Sequence, residues 1–171
     1  LYPIARVCDL KEMTDTACAK YPDHDAYRTM RSPSEYISVS YTQFGKDICA
    51  LANALIDKGL TGKRIAVLGE NSYPWVLAYL STTNINATIV TLDKELSEEA
   101  MLEQVSRAGV CTLFFSNSYS EEAAYIKANI PDITLVSFKE GADAEFTMAD
   151  WIKRGNELIA QGDDKYSGIK I

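Results

Sequence analysis

Residues 62–93, GKRIAVLGENSYPWVLAYLSTTNINATIVTLD, constrain the fold more than any other stretch. Arg64–Leu68 (RIAVL) is a short apolar run of the kind found in a parallel sheet covered on both faces. Gly69 permits a tight exit from that strand. Ser72 is placed to cap the next helix, and Pro74 falls in its first turn, where a missing N–H costs little. Trp75, Val76, Leu77, Tyr79 and Leu80 make the helix apolar on most sides, which predicts that it is largely buried. Ala87–Leu92 (ATIVTL) reads as the second strand. Such a unit has one favoured hand and places its first turn at the carboxyl edge of the sheet, where open α/β folds hold ligands.

The same alternation runs on. Further strands are predicted at Val110–Phe115 and Ile133–Ser137. A helix opens at Ser97, with Glu98 and Glu99 where its dipole favours acids, Leu96 and Met101 at staple spacing, and Gly109 closing it. Another starts at Ser118 with Glu121 as capping partner and stops before Pro131. A last helix starts at Thr147, carries Met148, Trp151, Ile152, Leu158 and Ile159, and ends near Gly162. The final residues, DDKYSGIKI, turn apolar enough to begin another strand.

Upstream, Asp9 with Glu12 makes a capping box for a first helix whose apolar face is Leu10, Met13, Ala17 and Cys18. Ala26–Met30 and Tyr36–Tyr41 read as a hairpin joined through Ser32-Pro33-Ser34. Thr42 is placed to cap a second helix with Phe44, Ile48, Leu51, Ala52, Leu55 and Ile56 on one face and Gly59 as its stop. The expected architecture is one α/β domain over residues 1–171: a mostly parallel sheet flanked by helices, preceded by a helix and a β-hairpin.

Composition narrows the partners. With 17 Lys+Arg against 24 Asp+Glu, a net charge of −7, the chain lacks the basic surface that nucleic acid requires. No apolar run is long enough to span a membrane, so no transmembrane segment is expected. The start, LYPIARVCDL, has neither a basic leader nor an initiator Met, and we expect a processed or excised piece. Cys8, Cys18, Cys49 and Cys111 form no CxxC pair, and Cys18 and Cys49 fall on apolar helix faces and Cys111 in an apolar strand, which predicts buried, reduced thiols, a cytoplasmic setting and no zinc site.

Motifs for chemistry are sparse. Gly59-Leu60-Thr61-Gly62-Lys63-Arg64 looks like half of a phosphate loop, but a helix precedes it and a strand follows, the reverse of the order that aims N–H groups at phosphate. No G-x-S-x-G or G-x-G-x-x-G occurs. The one histidine, His24, lies in a polar turn and reads as a surface residue. No catalytic, cofactor-binding or metal-ligating residue is assigned. Three loops share the carboxyl edge: Glu70-Asn71-Ser72, Asp93-Lys94-Glu95 and Ser116-Asn117-Ser118. Glu70, Asn71, Ser72, Asp93 and Lys94 are the candidates for lining a cleft there.

Taken together, Tyr41-Thr42-Gln43-Phe44 and the run from ALANALIDKG to AGVCTLFF resemble the opening of the adenylate-forming superfamily, the AMP-dependent synthetases and ligases. GEN-x-x-x-W followed by LDKEL is most similar to acyl-CoA synthetases of the long-chain fatty-acid type, with Thr91 where those carry Pro. The resemblance covers about Asp9 to Gly162. It implies a parent enzyme that uses ATP, magnesium and CoA on a small carboxylic acid. It also implies that the Ser/Thr/Gly-rich loop and lysine that hold ATP phosphates, and a C-terminal lid, follow a helix like Thr147–Gly162. Residues 1–171 contain neither, so the expected role is an N-terminal scaffold, inactive alone, whose partners are the remaining subdomains. A truncated sheet edge is expected to make it self-associate. Two alternatives stay open: part of a domain loading an amino acid or aryl acid onto a carrier protein, and a non-catalytic interaction module with the same fold.

Overall fold

The computed structural model describes residues 6–32 and 34–171. A helix, α1 (Leu10–Lys20), leads into an antiparallel hairpin of β1 (Asp25–Ser32) and β2 (Glu35–Ser40). Its turn includes Pro33, which lies outside the described residues. Next come α2 (Tyr41–Asp57), β3 (Arg64–Leu68), α3 (Tyr73–Thr83), β4 (Thr88–Thr91), α4 (Glu98–Ala108), β5 (Thr112–Phe115), α5 (Ser120–Asn129), β6 (Thr134–Ser137), β7 (Phe146–Thr147) and α6 (Met148–Ala160). The α/β class, the parallel sheet and the preceding helix and hairpin are all present.

The five strands β3–β7 form one parallel sheet in the order β4-β3-β5-β6-β7. Alternation along each strand splits the core in two. Ile65, Val67, Phe114 and Val136 face α2, α3 and α6. Ala66, Leu68, Leu113, Phe115 and Leu135 face α4 and α5. Both faces are therefore covered, which is why these strands are continuous apolar runs.

Caps explain most helix ends. Asp9 accepts from the Glu12 N–H at 2.7 Å, and the Glu12 carboxylate takes the Cys8 N–H at 2.8 Å, so the box at α1 closes one residue earlier than its usual form. Ser97 caps α4, and Gly109 ends it in the left-handed region at φ 63°. Thr147 and Asp150 close a reciprocal box on α6.

Several local expectations are corrected. Ser40, not Thr42, caps α2, because the helix begins at Tyr41, while the Thr42 hydroxyl donates to Pro22 O at 2.9 Å. Ser118 caps nothing: a 3₁₀ turn, Asn117–Tyr119, intervenes before α5, and Ser116 caps that turn. Ser72 occupies the cap position of α3 without making the cap bond, and its buried hydroxyl has no partner. On α1, Leu10 and Met13 are exposed and Thr14 is buried. Only Leu77, Ala78, Ser81 and Thr82 of α3 are buried, while Trp75, Val76, Tyr79 and Leu80 remain partly exposed. The two-residue β7 was not anticipated; a strand this short carries no periodicity.

The final residues form a docked 3₁₀ turn, Tyr166–Gly168, instead of a strand. Asn53 of α2 accepts the Lys165 and Tyr166 N–H groups at 2.9 and 3.1 Å and donates to Asp164 at 2.9 Å. Asn86 holds Lys170 O at 2.8 Å. Asp9, Lys11 and Asp15 of the first helical segment line one groove with Ile169–Ile171.

Candidate functional site

The strand order decides where a ligand cleft can form. From β3 the chain crosses to β4 on one side, then jumps past β3 to β5 and continues outward. The loops leaving β3 and β5 therefore diverge, and the crevice between them is the switch point of the sheet.

A cleft of ≈ 340 Å³ opens there. Its floor carries Glu70 and Ser72 after β3, and Ser116, Asn117 and Ser118 after β5. Gly69 is required by close approach: a Cβ would lie 3.0 Å from both Phe138 Cε2 and Ser116 Cβ. The Ser116 hydroxyl holds the Glu70 carboxyl below its usual range, with smaller help from Ser118 and Lys94. Asn117 ties the floor to the loop after β6, donating to Lys139 O and Glu140 O and accepting from the Lys139 N–H.

The roof comes from the hairpin. Thr29 and Ile37 face each other across it, and both line the cleft with Val39. Val39 is opposite Tyr27, whose ring packs on Tyr73 with centroids 5.5 Å apart. Tyr73 is anchored by its hydroxyl donating to Asp47 at 2.7 Å. Burial, then Asp47, pushes that hydroxyl's pKa up, so it stays protonated and keeps donating.

Of the five candidate residues, Glu70 and Ser72 line the cleft and Asn71 is exposed beside it. Asp93 and Lys94 follow the edge strand β4, outside the lining. Asp93 accepts the Glu95 N–H at 3.0 Å in a local turn. The sequence reading missed the roof and Phe138-Lys139. The latter pair was accessible by the same rule, since it directly follows a predicted strand at the same edge. The hairpin roof carried no such signal, because nothing local places it over the sheet.

His24 and the Gly59–Arg64 turn lie outside the cleft lining. His24 lies in a turn against Tyr21, its N–H donating to Tyr21 O, and is exposed. Gly59–Arg64 is the helix-to-strand turn between α2 and β3. Among the described residues, no group of three His, Cys, Asp or Glu side chains is placed to hold a metal ion. Among the described residues no glycine-rich loop opens a helix at this cleft, the arrangement that cradles nucleotide phosphates.

The profile of the family described as AMP-binding enzyme matches residues 14–161. The chain belongs to the AMP-binding enzyme family. A hybrid PKS-NRPS synthetase, pvhA of Talaromyces variabilis, is 32% identical over 101 residues, which is 58% of this chain and 2% of that protein. The mitochondrial medium-chain acyl-CoA ligase ACSF2 of Mus musculus is 24% identical over 115 residues, 67% of this chain and 18% of that protein. The fold is shared with the A-PCP didomain of carboxylic acid reductase from Segniliparus rugosus, solved in complex with AMP. There the TM-score is 0.74 at 16% identity, covering 88% of this chain and 27% of that one. The sheet, its helices and the hairpin are thus those of the N-terminal subdomain of adenylate-forming enzymes. The chain spans under a third of each of these proteins.

Proposed function

We propose that this chain is the N-terminal framework of an ATP-dependent acyl-CoA synthetase, and that it performs no turnover alone. The longer enzyme activates a fatty acid as its adenylate, releases pyrophosphate and passes the acyl group to CoA. The family match over residues 14–161 carries this reading, and the likeness to an acyl-CoA ligase supports the substrate class. The switch-point cleft, with Glu70 and Ser72 on its floor, is the ligand-facing wall this framework contributes. Four unpaired cysteines support a cytoplasmic setting. Among the described residues no helix is long and apolar enough to cross a membrane.

Inactivity follows from charge. Adenylation requires preorganised groups around a transferring phosphoryl centre, and removing one such donor costs about 10²–10³ in rate. In this reading the remaining subdomains of the longer enzyme supply those groups. The purified 171-residue chain, given ATP, magnesium and fatty acid, is expected to release no pyrophosphate above a blank. The full product of the gene is expected to release it and to form acyl-CoA. Release by the 171 residues alone overturns the reading.

The likeness to a hybrid PKS-NRPS synthetase favours a second reading, in which the acyl or aminoacyl group goes to a carrier protein. Thioester formation on a carrier protein, but not on CoA, selects it.

A further inference from the structure

We propose that strands β1 and β2 are a hinged lid over the switch-point cleft, clamped at their base to α2 and latched shut by the ring of Tyr27 on Tyr73. The proposal rests on the cleft being a ligand-facing wall, and is independent of what the longer enzyme activates.

The base is held by main chain. The Tyr41 N–H donates to His24 O and the Thr42 N–H to Pro22 O, each at 3.0 Å, and the Thr42 hydroxyl adds a bond to Pro22 O at 2.9 Å. Tyr41 and Thr42 open α2, so the entry and exit of the strand pair are tied to one helix. Just past this clamp the pairing shifts register between Asp25 and Tyr27. Such an irregularity bends a strand pair and breaks its ladder locally, which puts a flexure at the root. Beyond it, residues 27–30 pair without interruption with residues 39–36, so the two strands move as one body.

Over the cleft the fastening is of another kind. Among the described residues, no hydrogen bond or ion pair joins Thr29, Ile37 or Val39 to the polar residues beneath them, Glu70, Ser72, Ser116, Asn117, Ser118 and Lys139. What holds the strands down is Tyr27 against Tyr73, with ring centroids 5.5 Å apart at 52°. Tyr73 is the fixed half. Its hydroxyl donates to Asp47 at 2.7 Å and its ring meets Phe44 at 6.0 Å, both on α2, so the catch is braced by the helix that carries the hinge. Tyr73 keeps Asp47 when Tyr27 lifts, so the latch opens without orphaning that donor. Opening admits a ligand to the ≈ 340 Å³ cleft. Ile37 lines the cleft yet is 50% exposed, and an apolar group held beneath it covers that surface and favours the closed state.

The test follows the amide resonances of the ¹⁵N-labelled chain by relaxation dispersion, which reads exchange on the microsecond-to-millisecond timescale of hinged closures. Thr29, Ile37 and Val39 are expected to exchange at one shared rate, and Ile65 and Leu113 at the sheet centre to show no exchange. A soluble nitroxide, TEMPOL, reports access to the floor through the broadening of the Ser116 and Ser118 amides. Tyr27→Ala is expected to raise the open population about tenfold, and the broadening with it. Tyr27→Phe keeps the ring and is expected to behave as the parent chain. Should Tyr27→Ala disturb the strand pairing, Tyr73→Phe leaves both strands intact and frees the catch from Asp47, and is expected to raise the open population about threefold. Flat dispersion at Thr29, Ile37 and Val39, separate rates among them, or broadening of Ser116 and Ser118 that both Tyr27→Ala and Tyr73→Phe leave unchanged overturns the proposal. Each of these outcomes leaves the pyrophosphate experiment untouched.

Discussion

Gly155 shows how much one residue decides in this molecule. It lies where α6 crosses α2, and a Cβ placed there would stand 1.7 Å from the Ala50 carbonyl oxygen and 2.8 Å from Ala50 Cα. The two backbones meet with nothing between them. Gly155→Ala is therefore expected to lower unfolding stability by about 3 kcal/mol or more, since the obstacle is main chain and cannot rotate away. Urea unfolding of the variant checks this. Adding Ala50→Gly should not restore stability, because the carbonyl remains. This requirement was not legible in the sequence, where Gly155 stands inside a strong helical pattern and reads only as a weak point. The Gly69 exit was legible, because it ends an apolar strand.

Among the elements, helix starts separate what short-range pattern can tell from what it cannot. Thr147 and Asp150 form a full reciprocal box, with Thr147 Oγ1 accepting the Asp150 N–H at 3.1 Å and the Asp150 carboxylate accepting the Thr147 N–H at 2.8 Å. Ser72 holds the equivalent place on α3 but bonds nothing. Thr147→Ala is expected to cost about 1 kcal/mol of stability in thermal or urea unfolding. Ser72→Ala is expected to be neutral or slightly stabilising, because it removes a buried hydroxyl that has no partner. An equal cost for both would contradict the assignment. Strands β3, β5 and β6 were readable because burial on both faces demands apolar runs, and α2 and α4 because their stripes and glycine stops coincide. The faces of α1 and α3 were not. Which side of an apolar helix is covered depends on what packs there, and α1 lies on α2 through Cys18 and Gly45 while Leu10 and Met13 face outward. For the cleft, two of the three loops proposed from the sequence meet. The third leaves the edge strand, a fact of strand order that local sequence does not encode.

The two borders of the sheet differ at the scale of the whole molecule. β7 has only two residues, and Glu145, paired with Lys127, occupies the Leu135 N–H beside it. That border is closed to further pairing. At the other border, β4 is Thr-Ile-Val-Thr, β-branched throughout and uncharged. Thr88 and Leu92 direct their N–H groups to Lys63 and Val67, so Ile89 and Thr91 turn theirs away from β3. We expect the isolated chain to self-associate through this border. Light scattering should show mass rising with concentration, and Thr91→Lys, on an exposed side chain, should return it toward the monomer. A clean monomer at high concentration refutes the expectation.

The groove shared by Asp9, Lys11 and Asp15 with Ile169–Ile171 has a topological consequence. The start of α1 and the last residues of the chain lie against one another there, so a peptide bridge could join the two. A new opening could then be cut in the exposed bend around Gly141, on the path from β6 to β7, with every strand still reaching its neighbours. The order in which the protein is written along its gene is thus looser than the order in which its strands lie side by side.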